Sequence, residues 1–80
     1  MAEVRLQIPD EIISQIQQKI GPDVKATDIA KDAIALYNWA VGERYKGKLV
    51  LSSQPSGDDV TQLTMPNLER AGANSSVKPL

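Results

Sequence analysis

Eighty residues are enough for one domain and no more, and the chain contains neither cysteine nor histidine. Those two absences exclude a disulfide framework and a thiolate or imidazole metal site, and they remove the commonest general base. Nine basic against ten acidic side chains give a formal net charge of -1. That balance lacks the basic excess a free-standing nucleic-acid binder usually carries.

From the N-terminus, Glu3-Val4-Arg5-Leu6-Gln7-Ile8 alternates polar and apolar without a break. This is the period of a half-buried strand, with Val4, Leu6 and Ile8 on one face and Glu3, Arg5 and Gln7 on the other. Pro9 cannot donate to a ladder and ends the strand. Asp10 and Glu11 stand where a helix start favours negative charge, and Ile12, Ile13, Ile16 and Ile20 follow at helical spacing. Gly21-Pro22 stops this first helix after roughly three turns.

Thr27, followed by Asp28, reads as the N-cap of a second helix running from about 28 to about 46. Its apolar residues include Ile29, Ala30, Ala33, Ile34, Leu36, Tyr37, Trp39, Ala40 and Val41, which nearly encircle it between 33 and 41. Such a helix requires burial on more than one side. Beyond Gly47, the apolar residues of 48–54 and 60–65 flank Pro55-Ser56-Gly57-Asp58-Asp59, a pattern that predicts a β-hairpin. The composition after Asn67 predicts a flexible tail over 67–80, disordered from about 70.

A lone strand would leave its backbone groups unpaired. Two partners are open to it: the C-terminal hairpin, or its own copy in a second chain. The small core available to one copy favours the second. The expected fold is therefore mainly α with short β, an intertwined homodimer with dimer-core residues Val4, Leu6, Ile8, Ile29, Ile34, Tyr37 and Trp39. Three segments are expected: 1–46 for dimerisation, 47–66 as the hairpin extension and 67–80 as the tail.

Two stretches resemble a known family. Val4-Arg5-Leu6-Gln7-Ile8-Pro9-Asp10-Glu11-Ile12 is similar to the strand-into-helix signature of ribbon-helix-helix proteins of the Arc, MetJ and CopG type. Lys25-Ala26-Thr27-Asp28-Ile29-Ala30-Lys31-Asp32-Ala33-Ile34 resembles the opening of that family's second helix. The likeness spans about residues 2–46. It implies that two strands pair into a ribbon entering the major groove of double-stranded DNA. Glu3, Arg5 and Gln7 would then face base edges, Arg5 toward guanine, Gln7 toward adenine and Glu3 as an acceptor. Backbone amides near Ala26, Thr27 and Asp28, with Lys25 beside them, would hold a phosphate.

The resemblance implies a DNA-binding transcriptional regulator or an antitoxin, with a protein partner for residues 47–80. The alternative is a dimeric interaction or assembly module that does not read DNA. It is motivated by the neutral balance of residues 1–48, seven basic and seven acidic side chains with Asp23 and Asp28 flanking the phosphate site, and by the additional hairpin, which would offer an edge strand to a partner.

Trp39, Tyr37 and Tyr45 are candidates for a base-stacking platform, but basic residues are not interleaved with them around 37–42 and packing is the simpler role. Arg44, Lys46 and Lys48 suit the negative end of a helix. Asp58 and Asp59 supply too few oxygens for calcium, and Ser52, Ser53 and Ser56 have no activating base. No catalytic residue, cofactor or metal is expected. With no apolar run near ~20 residues and no signal-peptide pattern at the start, the expected setting is cytoplasmic, away from membranes.

Overall fold

The computed structural model describes residues 1–75, mainly helical with a short two-stranded antiparallel sheet. The first helix, α1, spans Asp10–Ile20 and begins where the sequence places its start. Pro9 holds φ -54° and ψ 134°, and its carbonyl accepts from Ile12 N at 3.0 Å and Ile13 N at 3.4 Å. Asp10 and Glu11 occupy the first turn and Lys19 the last, each complementing the helix dipole. Ile13, Ile16 and Gln17 are half-buried, whereas Ile12 and Ile20 lie open. Gly21 ends the helix at φ 139°, a backbone that side chains with a Cβ rarely adopt, and its amide donates to Gln17 O at 2.8 Å.

The turn that follows is closed by Val24 N donating to Gly21 O at 3.3 Å. The Gln17 side chain pins it, its Nε2 donating to Val24 O at 2.8 Å. Lys25 then arrives with its carbonyl accepting from both Asp28 N and Ile29 N at 3.1 Å. The second helix, α2, therefore spans Ala26–Tyr45 and starts two residues earlier than expected. This corrects Thr27 as the N-cap. Thr27 already lies inside the first turn, where a helical backbone points its hydroxyl away from the amides a cap would serve.

At its far end α2 closes with a Schellman motif. Lys48 N donates to Glu43 O at 3.0 Å and Gly47 N to Arg44 O at 2.9 Å, with Gly47 at φ 84°.

Two compact units divide within α2, residues 1–33 and residues 34 onward. In the first, Ile29 is the one buried side chain among the described residues. Residues 3–8 form no strand in one copy of the chain. The sheet holds β1, Leu51–Ser52, and β2, Thr61–Gln62, and the N-terminal segment is not part of it. An alternating segment gains a ladder only from another strand's edge, and residues 3–8 pair with none among the described residues.

The second unit carries the sheet. Leu51 pairs with Gln62 and Ser52 with Thr61, antiparallel, and Leu63 N extends the ladder to Val50 O at 2.9 Å. The strands are shorter than the apolar runs 48–54 and 60–65 suggested. Asp59 at φ 59° breaks the extended backbone just before β2. Between the strands Gln54 N donates to Asp58 O and Gly57 N to Gln54 O, both at 2.8 Å, with Gly57 at φ 90°. Strand alternation buries Val50 and leaves Leu49 and Leu51 exposed on the opposite face.

A third helix, α3, spans Pro66–Ala73, where a flexible tail was expected from residue 67. Pro66 occupies the first helical position, where its missing N–H loses nothing, and Glu69 complements the dipole. Burial supplies what composition did not reveal. Leu68 is fully buried and forms the core of this unit with Ala40 and Val50, flanked by Tyr37 and Val41. The expected tail over residues 76–80 lies outside the described residues.

Candidate nucleic-acid interface

The candidate interface is built from two stretches of the first unit, the N-terminal segment and the start of α2. Glu3, Arg5 and Gln7 are all exposed. So are the residues that should form the opposite, buried face: Val4 is 73% and Leu6 74% accessible, and Ile8 is open as well. Alternation in sequence thus survives as two chemically distinct sets, but one copy gives the apolar set nothing to cover it.

At the start of α2, Lys25 O takes the amides of Asp28 and Ile29. The amides of Ala26 and Thr27 have no intrahelical acceptor, as first-turn amides must lack one. Together with the positive end of the dipole they form a site suited to an anion. Lys25 is exposed beside it. Asp28 sits in the same turn and already complements the dipole, and Asp23 precedes it in the turn from α1. The local charge is therefore mixed, with the amides and Lys25 set against two carboxylates.

Family models, curated proteins and solved structures gave no match.

The remaining expected core positions separate into three groups. Ile29 is buried. Tyr37 is half-buried against Ala40, Val50 and Leu68, so its ring is used within the chain. Ile34 and Trp39 are exposed, Trp39 at 54%, and Leu36 is open beside them in sequence. Along α2 the chain thus covers Ile29, Tyr37 and Ala40 and leaves Ile34, Leu36 and Trp39 open.

Arg44 lies in the last turn of α2, where it suits the negative end of the helix as expected, but it is less exposed than a solubilising cation would be. Its side chain is 13% accessible, with Nη1 donating to Lys48 O at 3.0 Å and Nη2 lying 3.7 Å from Glu69 Oε2. Lys46 pairs with Glu43 at 3.7 Å. Of Arg44, Lys46 and Lys48, Arg44 is committed to the fold. Sequence reasoning missed its pairing with Glu69, along with the roles of Leu68 and Gln17. The available signal was Pro66 followed by Glu69, the composition of a helix start.

Among the described residues no group of three or more acidic, histidine or cysteine side chains is placed to hold a metal. No helix there is long and apolar enough to cross a membrane.

Proposed function

We propose that the chain is one subunit of a homodimer that binds double-stranded DNA as a transcriptional regulator or antitoxin. Residues 3–8 of two copies pair antiparallel, their Val4, Leu6 and Ile8 closing a shared core while Glu3, Arg5 and Gln7 face the major groove. The observation that carries this reading is the exposure of Val4, Leu6 and Ile8 in a unit with a single buried side chain. An unpaired segment of this pattern is satisfied by a second strand, and its own copy is the simplest source. The amides of Ala26 and Thr27, with Lys25, then meet the backbone phosphate that orients the ribbon.

With only Arg5 as a cation on the ribbon, sequence readout rests heavily on that residue. A gel shift on DNA from upstream of the coding sequence, run at low salt, tests this. Arg5→Ala is expected to lose ~1–3 kcal/mol per contact, and two copies per dimer make this about 30-fold or more in affinity. Binding unchanged by Arg5→Ala, or no binding at all, removes the DNA reading and leaves the dimer standing.

A second reading is a protein-interaction or assembly module on the same dimeric fold. The exposed Leu49, Leu51 and Val60 of the second unit favour it, since an apolar sheet face fits a protein partner better than a phosphate backbone.

A further inference from the structure

The attachment of α3 is narrow. One side chain, Leu68, is fully buried between Ala40 and Val50, with Tyr37 and Val41 at its rim. Polar contacts add to it, those of Arg44 and Ser75 at the end of α2. Arg44 reaches Lys48 O with Nη1 and Glu69 with Nη2, and its Nε is enclosed without a partner among the described residues. Thr64 Oγ1 donates to Glu69 Oε1, and Ser75 Oγ to Tyr45 O at 2.8 Å. Gly72 lies flat against the guanidinium: a Cβ built there would overlap Nη2 and stand 2.7 Å from Cζ. An eight-residue helix has little stability of its own, so these contacts decide whether it stays folded.

We propose that α3 is a latch, held shut by Arg44 and opening as a unit over the apolar surface of Tyr37, Ala40, Val41 and Val50 on which Leu68 packs. The guanidinium is the catch. It ties the α2 terminus to the 46–48 turn on one side and to α3 on the other, in a place that a Cβ at residue 72 would force it to leave. Opening exposes that surface while α1 and the body of α2 keep their hydrogen bonds, a local transition distinct from global unfolding. The latch does not depend on DNA binding or on dimerisation.

Gly72→Ala separates the catch from ordinary helix propensity, because the two act in opposite directions. Alanine favours a helix over glycine, but here its Cβ evicts the guanidinium. Native-state hydrogen exchange on the full chain reads the balance at the amides of α3. With Arg44 present, Gly72→Ala is expected to speed their exchange about twofold, because the displaced guanidinium gives up its bond to Lys48 O together with its pairing to Glu69, and this slightly outweighs propensity. In an Arg44→Ala background the seat is empty, and the same change is expected to slow exchange about fivefold. The effect of Gly72→Ala thus reverses sign with the residue at 44, while α1 amides stay unchanged throughout. The same sign in both backgrounds overturns the catch. Loss of α1 protection alongside α3 overturns the separate opening.

Discussion

Leu68→Ala is expected to detach α3 and lower the stability of the second unit by about 2–5 kcal/mol. Leu68 is the one fully buried large side chain among the described residues, and its neighbours cannot collapse onto the gap. Ala40 is small and fixed on α2, and Val50 is fixed beside the sheet. The lost transfer energy and the residual cavity therefore add. Once undocked, eight residues do not hold a helix in water. Far-ultraviolet circular dichroism should lose about a fifth of its helical signal, the share α3 contributes beside the 11 residues of α1 and 20 of α2. Leu51→Ala, at an exposed position, should change stability by about 0.5 kcal/mol or less. Equal losses for the two variants would mean that burial at Leu68 is not what secures α3.

The second large effect is expected at Leu6. Leu6→Lys places a charge on the apolar face of the segment proposed to pair between two copies, twice per assembly. Each lost leucine removes roughly 2 kcal/mol of burial, so the dimer constant should weaken by about a thousandfold before the charge is considered. Sedimentation equilibrium at micromolar concentration should show the mass of two chains for the unmodified protein and of one for Leu6→Lys. Gln7→Lys, one residue along on the other face, should leave the mass at two chains. A Leu6→Lys protein that still sediments as a dimer would sink the ribbon, and so would an unmodified chain that is a monomer with a cooperative melt.

The legible parts of the fold were those governed by local chemistry. Pro9, Asp10 and Glu11 marked the start of α1 and Gly21-Pro22 its end, because dihedral limits and the helix dipole act over a few residues. The same logic located the turn between β1 and β2. Thr27 misled because a good capping residue is only a preference. The turn from Gly21 to Val24, braced by Gln17, delivered Lys25 into the capping place first. α3 was hidden for a different reason. Its glycine and alanines are poor in hydrophobicity, and what selects the helix is a cavity assembled from Ala40 and Val50, far away in sequence. Arg44 was hidden likewise: nothing near residue 44 announces Gly72. For the candidate interface, sequence named the residue types and their alternation. Whether Arg5 meets a base depends on a second chain, and no local pattern encodes its arrival.

Trp39 is the only tryptophan in the chain and is more than half exposed in one copy. The protein therefore carries its own optical reporter at a position expected to change surroundings on assembly. In a dilution series its fluorescence should shift to longer wavelength and become more open to an aqueous quencher as the copies separate, reporting the dimer constant without a label. Constant emission across the transition seen by sedimentation would put the indole outside the contact between copies.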